Sequence, residues 1–139
     1  MSMSAKHYLS LPLAEVSVGE GKYKVSAIGI PTEDGITVLM FGGSKPHIGA
    51  VAIAIPRLSL KNAKKTSSAS SVFTLTGHKD DKVARPAAER LARGLKEVVV
   101  VAGIHVENAT KAEIEVLMKN SKRTIGELKR KLDKLIKRN

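Results

Sequence analysis

Apolar and polar residues alternate from Val16 and Val18 across a Gly19-Glu20-Gly21 turn to Tyr23, Val25 and Ala27, and on into Ile28 and Ile30. A period of two predicts paired β-strands, because successive side chains of a strand point to opposite faces. Pro31 to Gly35 reads as a second turn. Three further β-rich runs follow: Ile36 to Phe41 ending at Gly42-Gly43, Ala50 to Ile55 ending at Pro56, and Val72 to Thr76 ending at Gly77-His78. Between the last two, Arg57 to Ser71 is polar and rich in Lys and Ser, which predicts a mobile loop.

The second half changes period. Asp80 or Asp81 can cap a helix running to about Lys96, with Val83, Ala87, Leu91 and Leu95 on one stripe and Ala84, Ala88 and Ala92 beside it. Small alanines on that stripe let the helix lie close to a sheet. Pro86 suits only the start of a helix, so regular helix is expected to begin near it. Val98 to Val101 is continuously apolar, as a strand buried on both faces would be, and Gly103 is expected to break it. Thr110 with Glu113 forms a capping box for a helix through Met118. Thr124 with Glu127 forms a second box ahead of Ile125, Leu128, Leu132, Leu135 and Ile136. Asn120-Ser121 either separates two helices or lies within one. Together the elements predict an α+β fold: a single mixed, mainly antiparallel β-sheet of five or six strands, with two or three helices packed on one face. Residues 1–139 are expected to form a single domain, with 119–139 as a basic amphipathic C-terminal helix.

Composition narrows the chemistry. The chain of 139 residues has no cysteine, which excludes disulfides, Cys-type zinc sites and a thiol nucleophile. A reducing cytoplasm is the expected compartment. No apolar run is long enough to span a membrane, and Met1 to Ser10 lacks the charged and apolar regions of a signal peptide. The formal net charge is +11, unevenly placed: nine Lys/Arg and two acids fall between Lys119 and Asn139. Such a tail favours anionic partners, nucleic acid among them; a solvated Lys-rich helix face is the plainer explanation.

Three of the four histidines stand beside glycine where strands give way to loops. His47 lies in Gly42-Gly43-Ser44-Lys45-Pro46-His47-Ile48-Gly49, His78 in Gly77-His78-Lys79-Asp80-Asp81, and His105 in Gly103-Ile104-His105-Val106-Glu107-Asn108. Glycine lets backbone N–H groups approach a ligand closely, and histidine donates, accepts or binds metal. Each histidine can equally be a loop residue bonded to nearby backbone. The Gly42 to Gly49 loop could cradle an anion or serve simply as a rigid turn. It is not a Walker loop, because the Gly-Lys-Ser/Thr order and the following helix are missing. Asp80 and Asp81 read more readily as helix caps than as an acid–base pair. Arg85 could reach a phosphate or carboxylate. The histidines and an Asp could hold a divalent ion, but none has the HxH or HExxH spacing of a strong metal motif. Ser44 and Ser71 lack a nucleophile-elbow string.

Taken in order, Gly43-x-x-Pro46-His47-Ile48-Gly49-Ala50-Val51-Ala52, Gly77-His78-Lys79-Asp80-Asp81 and Ala102-Gly103-Ile104-His105-Val106-Glu107-Asn108 resemble the small accessory D subunits of gallate-type decarboxylases, the LpdD-like proteins. The likeness runs from about Tyr23 to Met118, with Glu107 standing where the family pattern has Asp, and leaves the basic tail out. It implies a non-catalytic chaperone that carries reduced prenylated flavin mononucleotide as cargo to a UbiD-class decarboxylase, and it leaves room for a homo-oligomer. Carried over, Lys45, His47, His78, Lys79, Asp80, Asp81, His105 and Asn108 would line the site. Backbone N–H groups from Gly43 to Lys45, with Lys45 or Arg85, would hold the phosphate. With two Tyr, two Phe and no Trp, stacking of the flavin on an aromatic ring is not expected to dominate.

Two other readings compete. A nucleic-acid-binding module would use the basic C-terminal helix, although it lacks interleaved aromatics, and deleting Lys119 to Asn139 should abolish its binding. A His-metal enzyme would carry stoichiometric metal.

Overall fold

The computed structural model describes residues 11–75, 77 and 79–138. Six strands form one mixed sheet: β1 (Ala14–Val18), β2 (Val25–Pro31), β3 (Gly35–Gly43), β4 (Ala50–Leu58), β5 (Thr66–Thr74) and β6 (Glu97–His105). Two α-helices, α1 (Asp81–Gly94) and α2 (Lys111–Arg138), accompany it. The strand order is β1-β2-β3-β6-β4-β5. Only the β3–β6 pair is parallel. The expected α+β class, mixed sheet and one-sided helices are what the structure has.

One face of this sheet is the core. Val25, Ala27, Ile36, Val38, Met40, Ala50, Ala52, Ala54, Val98, Val100 and Ala102 are buried, and the register places them side by side across four strands, β2, β3, β6 and β4. Helix α1 covers β4, β5 and β6, while α2 covers β1 and β2. Small residues meet where α1 lies on β4: Ala84, Ala88 and Ala92 above Ala50, Ala52 and Ala54, all fully or nearly fully buried. A larger side chain on either surface would push the helix off the sheet.

Several boundaries differ from expectation, each for a local reason. Strand β4 continues through Pro56, and β2 ends on Pro31, because each proline lies beyond the last pairing on one side: β4 meets β6 only to Ala54, and β1 meets β2 only to Gly29. A missing N–H costs little on a strand with one free edge. Tyr23 sits in a short 3-10 turn (Gly21–Tyr23) rather than in a strand. The predicted Arg57–Ser71 loop shrinks, since β5 starts at Thr66; its serines suit an edge strand, and Ser70 Oγ donates to Glu89 of α1 at 2.6 Å. Helix α1 begins at Asp81, ahead of Pro86, which stands inside it.

The Thr110–Glu113 box forms as predicted, with Thr110 N donating to Glu113 Oε1 at 3.2 Å and Glu113 N to Thr110 Oγ1 at 3.1 Å. The second box does not. Thr124 is fully buried inside one helix of 28 residues, its hydroxyl donating to the Asn120 carbonyl at 2.7 Å. Asn120 Nδ2 in turn donates to the Tyr23 carbonyl at 2.9 Å, pinning the middle of α2 to the 3-10 turn. Residues from Lys119 onward are therefore not an appendage: Ile125, Leu128 and Leu132 belong to the core. At the start of α2, Lys22 Nζ bonds Glu113 at 2.6 Å. That bond, helped by the Thr110 N–H, holds the Glu113 carboxyl down at about 2, below its ordinary 4.5, and the carboxylate raises Lys22 in return. Among the described residues, no helix is long and apolar enough to cross a membrane.

Candidate functional site

Because β6 inserts between β3 and β4, the chain leaving β3 must step over the end of β6 to reach β4. Residues 44–49 make that step. Ser44 N donates to the His105 carbonyl and Gly49 N to the Ala102 carbonyl, both at 2.9 Å, so the loop straddles the last turn of β6. Three glycines permit it. Gly43 has φ +80°, and a side chain there would strike the His105 carbonyl. A Cβ on Gly103 would overlap the His47 carbonyl, and one on Gly49 would overlap the Asp80 carboxylate. Gly103 thus leaves β6 unbroken, contrary to expectation, and instead makes room for the crossing loop.

The residues before α1 close the same corner. Leu75 N donates to the Gly49 carbonyl at 2.9 Å. Asp80, its side chain only 7% exposed, makes no cap hydrogen bond to α1. Its carboxylate turns away, accepting from Ile104 N at 2.9 Å through Oδ1 and meeting His47 Nε2 at 3.1 Å through Oδ2. The expected capping role is therefore replaced by a tie between three segments of chain. His47 Nδ1 lies 3.1 Å from the Lys45 carbonyl. The ring is thus held from both sides, by the Lys45 carbonyl and the Asp80 carboxylate. His47 and His105 then meet edge to face, with ring centroids 5.9 Å apart.

Beside His105 opens a cleft of about 310 Å³, lined by Lys79, Asp80, Lys82, Val83, Ile104, His105, Val106, Ala109, Ile114, Leu117, Met118 and Ser121. Its apolar wall comes from α1, β6 and α2, and two lysines and an imidazole stand with it. A second groove of about 230 Å³ runs between the helices and shares Lys82, Val83, Met118 and Ser121 with the cleft; Arg90, Arg93 and Lys122 line it. An apolar wall with a few convergent polar groups is the usual make-up of a small-molecule site.

Of the residues singled out in sequence, the structure gathers His47, Lys79, Asp80 and His105 at one corner, with Gly43 in the turn against His105. Lys45 is exposed and contributes its carbonyl to His47. Asp81, Arg85 and Asn108 do not line the cleft, and Asn108 instead takes a left-handed φ of 51° in the turn after β6. His78 lies outside the described residues. Sequence reasoning missed Lys82 and the α2 wall of Ile114, Leu117, Met118 and Ser121. The i, i+3, i+4 spacing of Ile114, Leu117 and Met118 was the available signal. Among the described residues no three His, Cys, Asp or Glu side chains gather as metal ligands do.

Fold and corner together define a helix-backed sheet protein with an amphipathic, cation-lined cleft at one end of its central strands. The chain belongs to the family of prenylated flavin chaperone LpdD-like domains, which matches residues 19–133. That stretch holds the crossing loop, the Asp80 tie and the whole cleft. It also takes in α2 to Asp133, well past the Met118 limit of the sequence resemblance. No curated protein matches the chain. Nine chains of solved structures do. One, from the "Crystal Structure of a Novel Chaperone Complex for Yeast 20S Proteasome Assembly", is 18% identical with a TM-score of 0.48, covering 90% of this chain and 96% of its own.

Proposed function

We propose that this protein binds reduced prenylated flavin mononucleotide in the cleft beside His105 and hands it to a UbiD-class decarboxylase, without catalysing a reaction itself. The observation that carries this reading is the pairing of an apolar wall with Lys79, Lys82 and His105 in one cleft of about 310 Å³. A flavin nucleotide has the matching division: a flat apolar ring with a polar edge, and a phosphate. Val83, Ile104, Leu117 and Met118 take the ring, and thioether sulfur packs well on π-surfaces. Lys79 and Lys82 attract the phosphate as point charges. His105, held by the His47–Asp80 contact behind it, faces the polar edge of the ring. Membership of the prenylated flavin chaperone family supports the same ligand. A cytoplasmic site of action follows from the cargo's enzyme and agrees with a chain without cysteine.

Anaerobic titration of the full chain with reduced prenylated flavin mononucleotide, against ordinary reduced flavin mononucleotide, tests this. The prenyl-derived ring adds five carbons. Burying about half of them against the apolar wall at ~0.8 kcal/mol per methylene gives about 2 kcal/mol, or roughly thirtyfold tighter binding. Lys82→Ala and His105→Ala should each weaken binding by about tenfold. Equal affinity for both flavins, or unchanged affinity in both variants, would overturn the proposal. Transfer is read by mixing the loaded protein with apo-decarboxylase and following the gain of decarboxylation.

A further inference from the structure

Helices α1 and α2 meet at one end through glycines. Lys129 lies over Gly94 and the Arg90 guanidinium over Gly126, so a Cβ at either glycine would meet a side chain of the opposite helix. From there toward Lys82 and Met118 runs the groove of about 230 Å³, floored by Met40, Val83, Ala87, Met118 and Ile125. Four exposed cations rim it, Lys82, Arg90 and Arg93 from α1 and Lys122 from α2. None of its described lining residues is an Asp or a Glu. Arg90 is held in place: its Nη1 donates to the Lys122 carbonyl at 3.1 Å, which sets the guanidinium across the groove. From Lys82 to Arg93 the cations run about 16 Å along α1, at ~1.5 Å per residue.

We infer that this groove docks an acidic amphipathic helix of the decarboxylase that receives the cargo, an inference that takes the partner from the proposed function and the chemistry from the groove. An apolar floor under a basic rim is the complement of a helix whose apolar stripe is flanked by Asp and Glu. Helices of that kind seat side chains at i, i+3, i+4 and i+7 in an apolar groove. Met40 and Met118 floor it with adaptable side chains. The Arg90 guanidinium can take a carboxylate as a fork, while Lys82 and Lys122 act as point charges. Cations spread over that length suit a segment of chain better than one small anion, around which they would converge. A nucleic acid brings phosphates but no apolar side chain for the floor, and none of the described lining residues is an aromatic on which its bases could stack. Position adds a second reason. Lys82, Val83, Met118 and Ser121 line the groove and the cleft alike. A helix seated in the groove therefore touches the wall of the cargo site, and the recipient is held where hand-over takes place.

Biolayer interferometry of the empty full chain against an immobilised UbiD-class apo-decarboxylase tests this without cargo. The unaltered chain should bind, and raising sodium chloride from 50 to 300 mM should weaken it by about tenfold, because the rim charges are exposed. Arg90→Glu combined with Lys122→Glu should weaken binding by about thirtyfold. The same charge change in Arg123→Glu with Lys134→Glu, at exposed α2 residues that line neither the groove nor the cleft, should cost less than about threefold. Because a glutamate against Gly126 could disturb the helix contact, Arg90→Gln with Lys122→Gln is the second variant, with an expected loss of about tenfold. Reduced flavin affinity of both groove variants should stay within about fivefold of the parent. No binding of the unaltered chain at 50 µM, or equal losses from the two charge reversals, would overturn the inference. A flavin affinity that falls as far as docking does would overturn it in favour of a cargo subsite. A single-stranded oligonucleotide that binds more tightly than the decarboxylase, and is lost in the same variants, would overturn it in favour of nucleic acid. Docking that survives in a chain unable to bind reduced prenylated flavin mononucleotide would sink the cargo reading and leave this surface standing.

Discussion

Truncating Asp80 to alanine should loosen the whole corner at once. Its carboxylate accepts from Ile104 N at 2.9 Å and meets His47 Nε2 at 3.1 Å, and the side chain is 7% exposed. Removing it leaves the Ile104 N–H without this acceptor, at a cost of about 1–3 kcal/mol. The bond to His47, involving a charged group, contributes about 1.5–3 kcal/mol. The two share one side chain and do not add fully, so the net loss should be about 3 kcal/mol. A chain of this length unfolds with an entropy of about 0.3 kcal/mol per kelvin, from ~2.1 cal/mol/K per residue, so the melting temperature should fall by roughly 10 °C. Thermal unfolding of the full chain at pH 7, followed by circular dichroism, reads this directly. Asp80→Asn keeps an oxygen for Ile104 N and turns an amide toward His47, which accepts it in its neutral form. That variant should recover more than half of the loss. Asp81→Ala, next door on the helix, should cost less than about 1 kcal/mol, the worth of a dipole contact. A melting temperature within 2 °C of the parent for Asp80→Ala, or equal losses for Asp80 and Asp81, would refute the tie.

Further expectations follow from other contacts. Gly103→Ala puts a methyl on the His47 carbonyl; displacing the loop should cost about 1–3 kcal/mol in urea denaturation, and equal stability would mean that the loop does not cross there. Acid should weaken the start of α2. The Glu113 carboxyl is depressed to about 2, so the pair with Lys22 is fully present above about pH 4.5 and fades as pH falls toward 2. Between pH 5 and 2.5 the urea midpoint of Glu113→Gln should therefore fall less than that of the parent, and parallel curves would count against the ion pair. Arg123, Arg130, Lys131, Lys134 and Lys137 are exposed on α2. Changing all five to Gln should leave flavin affinity within twofold and flatten any salt-dependent binding to nucleic acid, each released phosphate contact removing about 0.9 from the logarithmic salt slope. Loss of flavin binding would move the functional charge to this face. Deleting Lys119 to Asn139 cannot serve the same purpose, because it would strip Ile125, Leu128 and Leu132 from the core.

Much of the fold was legible because period survives in the sequence. The two-residue alternation of β1, β2 and β3 and the alanine-rich stripe of α1 point directly to a sheet backed by helices. What was hidden follows a common cause: local chemistry that tertiary contacts reassign. Thr124 and Glu127 have the spacing of a capping box, yet Thr124 is buried mid-helix, where its hydroxyl finds the Asn120 carbonyl. Ser67 to Ser71 has loop composition and becomes an edge strand because β4 offers a free edge for it. Asp80 looked like a cap and became an anchor for β6, since the tertiary fold brings the Ile104 N–H and the His47 ring within reach of its carboxylate.

The site was half legible for a related reason. Glycine beside His47 and His105 marked the corner, but the cause lies in strand order rather than in ligand chemistry. Inserting β6 between β3 and β4 obliges residues 44–49 to cross its end, and any side chain on Gly43, Gly49 or Gly103 would obstruct that crossing. The glycines are thus explained by the fold without a ligand. What the fold does not demand is His105 lining the cleft with Lys79 and Lys82, two residues tied to each other through backbone, Lys82 N donating to the Lys79 carbonyl at 3.3 Å. Both lysines are exposed beside the apolar wall, where the proposed function has them meet the phosphate of the ligand. Lysine and imidazole substitutions, rather than glycine ones, are therefore the ones that test the proposed binding apart from folding.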